Sequence, residues 1–352
     1  MTLRSLIYSA GLIGAFIVLA LLVWRLTDVI ALVFASILVA TTLRAIAGQI
    51  EKRTFLGKRA SLSVTLLFIL LATVLFVLAL GSQLINQLGE LWVRIPSDLA
   101  AAQDRLGLRT LGESIMQSAD AGGFVWNLVG ATTLNLAGLF GATVLVLVSG
   151  VFLAASPDMY KRGLLLVVPP SIRPRIELTM HHSGEALKLW LLGQLILMLV
   201  VFVATTVGLY LVGAPSPLAL GLIAGILEFI PFAGPIIAIV PALIVAYSEG
   251  WDMVLSVIVV YVVVQQLESN FLVPVVQQRT VRLPAVVALF AVLVCAILFG
   301  VLGVLLAVPI SVVVLVAVKQ LYVIDMLGEH TAIPGDHESG GAKTKSAGKS
   351  GG

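Results

Sequence analysis

PLALGLIAGILEFIPFAGPIIAIVPALIVAY, Pro217 to Tyr247, carries one charge in 31 residues, Glu228, and interrupts its apolar run with Pro231, Gly234 and Pro235. Two prolines within five residues remove backbone donors and break a helix. The segment therefore reads as two short spans or as a re-entrant hairpin, and in either form the chain returns to the side it left. Broken helices are tolerated at membrane depth where protein or a wet cavity satisfies the freed backbone groups. This stretch thus predicts both a membrane fold and a place within it for polar chemistry.

Working outward, the composition agrees. Of 352 residues, 60% are hydrophobic and 11% are charged, and the mean hydropathy is +1.12. A soluble domain averages roughly 45–50% apolar and about 25% charged residues, and a folded globule of this size could not cover so much apolar surface. Runs long enough to cross a hydrocarbon core, about 20 residues each, are expected at Ser5 to Trp24, Val29 to Ile46, Ser61 to Leu84, Ala131 to Ala155, Leu187 to Val212, Met253 to Val276, Pro284 to Phe299 and Val301 to Leu321. The first is read as a retained span, because Arg25 to Asp28 leads directly into more apolar sequence and no small-residue cleavage site is evident.

The expected fold is all-α: a polytopic transmembrane helical bundle with a broken or re-entrant helix pair and an extracytoplasmic amphipathic helical segment. Residues 1–327 form the transmembrane domain. Within it, 87–130 is expected to form amphipathic helices on the outer face, with Leu88, Leu91, Trp92 and Ile95 at helical spacing. Residues 156–186 contain Pro157, Pro169, Pro170 and Pro174 and predict a cytoplasmic elbow. Residues 328–352, rich in Gly, Ser and Lys, predict a disordered cytoplasmic tail. With both termini in the cytoplasm, 17 of the 21 basic residues fall on the inner side and four, Arg25, Arg94, Arg105 and Arg109, on the outer. That bias follows the positive-inside rule, so the net charge of +3 reflects orientation and not nucleic-acid binding.

Of 18 acidic residues, only Glu228 and Glu268 fall at membrane depth. A carboxylate at the centre of a spanning helix costs about 2.5–3.5 kcal/mol on insertion scales, so both need partners, water or a proton. Glu228 closes a helix at the break formed by Pro231, Phe232, Gly234 and Pro235. Glu268 belongs to Gln265-Gln266-Leu267-Glu268-Ser269-Asn270, where Gln265, Glu268 and Ser269 share a helical face. Gln194 adds a lone amide that either lines a pathway or bonds a neighbouring helix. These residues form the candidate solute or ion pathway: Gln194, Glu228, Pro231, Phe232, Gly234, Pro235, Gln265, Gln266, Glu268 and Asn270. The alternative reading of each is structural, as polar glue or a helix kink. Gly221 and Gly225 form a small-x-x-x-small pair suited to close helix packing.

Other chemistries find little support. Cys295 stands alone in an apolar run and reads as packing. His181 and His182 are adjacent, which does not place them on one helical face, so no metal site is expected. The sequence shows no catalytic triad and no G-x-x-x-x-G-K-[ST] phosphate loop, so neither an enzyme nor a cofactor is expected, and ATP is not the expected energy source.

Glu228-Phe229-Ile230-Pro231-Phe232-Ala233-Gly234-Pro235, Gln265 to Asn270 with Pro274, and Phe299-Gly300-Val301-Leu302-Gly303 with Ala307-Val308-Pro309 resemble the autoinducer-2 exporter family of bacterial membrane proteins. The likeness covers nearly the whole chain, including the basic Glu51 to Arg59 loop and Gly193-Gln194. One departure is Thr42-Leu43-Arg44, where relatives carry a proline. The resemblance implies a homo-oligomeric inner-membrane transporter: an exporter of a small polar solute such as the autoinducer-2 quorum-sensing signal, or a sodium or lithium/proton antiporter. A membrane scaffold that transports nothing is the reading from another class. The implied partners are a small polar solute, a monovalent cation or proton, and membrane lipid.

Overall fold

The computed structural model describes residues 25–55, 57–106, 136–230, 233–274 and 284–328, and every regular element among them is helical. The expected first span (5–24), the outer segment beyond residue 106, Pro231, Phe232 and the tail from 329 onward lie outside the described residues. Five helices among those described are long and apolar enough to cross a membrane. A sixth span is added if the 90° bent pair Phe140–Ala155 and Pro157–Val167 is counted.

Helix α1 (Thr27–Arg53) pairs with α2 (Lys58–Leu106) and α3 (Leu136–Ala155). Helix α2 does not end near Leu84. It runs on for 49 residues through Pro96, so Gln87 to Leu106 continues a span where separate surface helices were expected. Along its apolar stretch Leu67, Phe68, Leu71, Val74, Leu75 and Leu78 all lie exposed. A helix apolar on every side and barely covered by its own chain belongs in hydrocarbon.

At the end of α3 the chain turns through 90° into α4 (Pro157–Val167). The last carbonyls of a helix lack intrahelical donors, and Arg44 supplies them. Its guanidinium donates to the carbonyls of Ala154 and Ala155, and to that of Lys58 at the start of α2. Arg44 thus ties α1, α2 and α3 together, and α1 continues past it to Arg53. The elbow is shorter than expected, because α5 (Arg173–Leu211) already begins at Arg173 and runs unbroken for 39 residues.

Helix α5 is the spine. One core gathers Val201 and Leu209 of α5 with α6 (Pro217–Leu227), α7 (Ala233–Glu249) and α8 (Trp251–Leu267), and takes in Leu91 of α2. A second core sets Leu187, Trp190 and Leu191 of α5 against Ala31 and Leu38 of α1 and against Leu306, Val312 and Val316 of α9 (Ala285–Val318).

Helix α9 folds back at Gly300, whose φ of 60° and ψ of −139° suit glycine. The arms approach so closely that a Cβ on Gly303 would collide with the Cys295 carbonyl. Residues eight apart in a straight helix would lie roughly 12 Å apart along its axis. The contact therefore requires the reversal that the sequence places between Phe299 and Val301.

Candidate functional site

The broken segment consists of two helices of 11 and 17 residues, α6 and α7. At 1.5 Å per residue these measure roughly 16 Å and 25 Å, against about 30 Å of hydrocarbon. The two helices pack against each other, and α6 is seated on α5. The seating follows from glycine: a Cβ on Gly221 would collide with Thr206, and one on Gly225 would lie 2.6 Å from the Phe202 Cβ. Small residues here let the backbones of α5 and α6 approach.

Helix α2 fixes the other end of the hairpin. The Ala219 amide in the first turn of α6 donates to the Gln87 side-chain oxygen Oε1 at 3.0 Å, and the Ser216 hydroxyl donates to Glu90 at 3.2 Å. First-turn amides have no intrahelical acceptor, and a carboxylate there also complements the helix dipole. The Gln87–Arg94 stretch of α2 is thus the support on which the broken pair stands, and an exposed Arg94–Glu249 pair at 3.5 Å links it to the end of α7.

Helix α6 ends at Glu228, after which the Phe229 and Ile230 amides bond three residues back in a tightened turn. Gly234 then passes so close to the Leu227 carbonyl that no side chain fits between them. Gln194 of α5 donates its Nε2 to the Glu228 carbonyl at 2.7 Å. Of its two expected alternatives, this amide takes the bond to a neighbouring element, and it positions the break. Replacing Gln194 with Leu strands that buried carbonyl and is expected to cost about 1–3 kcal/mol, read as a lower thermal unfolding midpoint in detergent; an unchanged midpoint contradicts this role.

Across from the hairpin, α8 passes at Glu268 into a π-helical turn, Glu268–Leu272. Such wide turns are rare and frequent at functional sites. Glu228 and Glu268 are both buried, 6% and 9% exposed, and Gln265 donates to Glu268 at 3.1 Å. Both residues line one cavity of about 20 Å³, shared with Thr205, Pro235, Tyr261 and Gln265 and with the apolar Val201, Ala224, Ala238 and Val264. That is room for about one water molecule.

Among the candidate residues, the structure therefore brings Glu228, Pro235, Gln265 and Glu268 together, with Gln194 and Gly234 shaping the break behind them. Gln266 and Asn270 bond to each other at 3.0 Å and are exposed, away from the cavity, and Ser269 is also exposed. Pro231 and Phe232 lie outside the described residues. Two polar lining residues were not singled out from sequence. Tyr261 donates its hydroxyl to the Ala238 carbonyl at 3.2 Å, and the Thr205 hydroxyl is buried without a hydrogen-bond partner. In an apolar run such as Leu199 to Tyr210, a threonine carries no signal of its own.

The sequence profile described as AI-2E family transporter matches residues 13–323. Two proteins of Bacillus subtilis (strain 168) are similar: "Putative transport protein YrrI", 31% identical over 54% of this chain and 53% of its own length, and "Putative transport protein YueF", 29% identical over 54% of each. These alignments span about half the length of those relatives. A Haemophilus influenzae protein named "Putative transport protein" is 26% identical over 74% of this chain and 78% of its own. A helical membrane bundle with a broken pair, matched by the profile over nearly its full length, belongs to the AI-2E family of transporters.

Proposed function

We propose that this transporter is a secondary carrier in which Glu228 and Glu268 form one exchange site for a proton and a small monovalent cation. The observation that supports it is the shared cavity: carboxyls from two separate elements meet across a space for about one water. Two buried carboxyls that line one cavity need a proton or a cation there to offset their charge. A monovalent cation can take that proton's place without changing the net charge of the site, which is the requirement for electroneutral exchange. Alternating access then follows if the α6–α7 hairpin and α8 move relative to α5 and expose the pair to one side at a time. The distribution of basic residues supports a cytoplasmic position for the Arg44–Arg59 stretch and the 156–186 elbow, and the family resemblance supports a homo-oligomer in a bacterial inner membrane.

The family's description favours a second reading, export of a small polar solute such as the autoinducer-2 signal. The same carboxylates would then carry the coupling proton, and the cavity would widen to admit the solute. Reconstituted vesicles carrying a trapped pH indicator separate the two. Exchange predicts that an imposed sodium or lithium gradient drives protons the opposite way, with choline ineffective. Solute accumulation without cation-driven proton flux would overturn exchange and favour export.

A further inference from the structure

The hydroxyls of Thr205 and of Thr206 beside it are both buried without a hydrogen-bond partner, but of the two only Thr205 lines the cavity. Thr41, Thr42, Thr65 and Thr179 each donate to the carbonyl four residues back, at 2.8–2.9 Å. This is the usual way a threonine settles its hydroxyl inside a helix. Thr205 is 1% exposed, and its Oγ1 has no such bond. Its residue lines the cavity that holds Glu228, Gln265 and Glu268. A buried hydroxyl left without a partner is unfavourable unless something else in the cavity takes it up.

The chemistry of the lining narrows what that is. Gln265 spends its amide N–H on Glu268, which leaves its carbonyl oxygen as an acceptor. Two carboxyls, an amide oxygen and a hydroxyl oxygen make an all-oxygen set. Oxygen sets suit hard cations, and a cavity of about 20 Å³ whose lining includes the apolar Val201, Ala224, Ala238 and Val264 suits a small ion that has shed most of its water.

We propose that Thr205 is a specificity-determining residue, whose hydroxyl oxygen is a neutral ligand to a partly dehydrated cation of sodium or lithium size bound between Glu228 and Glu268. This rests on the exchange reading above and adds the source of its cation preference. The carboxylates supply charge and accept the proton; the hydroxyl supplies an oxygen that replaces lost water without adding charge. One cation enters as one proton leaves, so the step balances without redox chemistry.

The test uses full-length protein in vesicles, with sodium and lithium as probes and proton flux as the readout. Thr205→Val keeps the branched shape and removes the hydroxyl. It is expected to raise the cation concentration for half-maximal flux about tenfold, with the maximal rate largely kept. Thr205→Ser restores the hydroxyl and is expected to behave as the parent. Thr205→Ala serves where the valine variant folds poorly, and is expected to show the same rise. Half-saturation unchanged in Thr205→Val or Thr205→Ala would overturn the assignment. The two levels fail separately: if Glu228→Gln carries flux like the parent, the exchange reading falls, whereas an inert Glu228→Gln beside a parent-like Thr205→Val removes only the role of Thr205.

Discussion

Glu228→Gln is expected to bring cation-driven proton flux down to the level of empty vesicles, and Glu268→Gln to do the same. Glutamine matches the shape of glutamate and keeps a hydrogen-bonding end, so it fits the cavity without opening a void. What it lacks is the ability to exchange a proton for a cation. Because the two carboxyls share one cavity, they act as a unit, and losses from such units are not additive. The double variant should be no less active than either single one. Glu228→Asp retains the carboxylate but withdraws it by a methylene, and partial flux is expected. Flux near the parent level in either glutamine variant, with the protein folded and inserted, would leave the pair a structural role only.

Gly234→Ala is expected to be among the most damaging small substitutions in the chain. The Cβ would enter the Leu227 carbonyl at the hairpin break, where backbone meets backbone and no flexible side chain can yield. Overpacking typically costs 1–3 kcal/mol and occasionally more; the rigid setting puts this case at about 3 kcal/mol or beyond. The measurement is the thermal midpoint of purified protein, with Gly184→Ala as comparison. Gly184 sits within α5 with open space around its Cβ position, so alanine there should be neutral or stabilise by about 0.5–1 kcal/mol. Equal midpoints for the two variants would contradict the close packing at the break.

Much of the architecture was legible because the bilayer imposes a length and a polarity on each span. Glu228 and Glu268 stood out because a lone acid in a long apolar run is costly, and their meeting could not be read from positions 40 residues apart. The reversal at Gly300 was marked by Phe299-Gly300-Val301, although both neighbours are apolar. The reach of α2 was misjudged: hydropathy falls after Leu84, yet helix propensity does not, and Pro96 is accommodated without a break. In the stripe from Gln265 to Asn270, ordinary helical spacing placed Ser269 beside Glu268. The wider π turn and local packing instead leave Ser269 exposed. Thr205 was invisible because threonine is common in apolar helices, and its importance lies in a bond it does not make.

The claim beneath this account is that Glu228 and Glu268 hold a proton that a small cation displaces. It can be tested on the purified protein in detergent, with no transport assay, by adding lithium chloride to a weakly buffered sample and following the pH. The expected result is proton release that saturates with lithium, is absent with choline, and vanishes in both Glu228→Gln and Glu268→Gln. Saturable release that persists undiminished in the two variants, or no release from the parent protein, would contradict it.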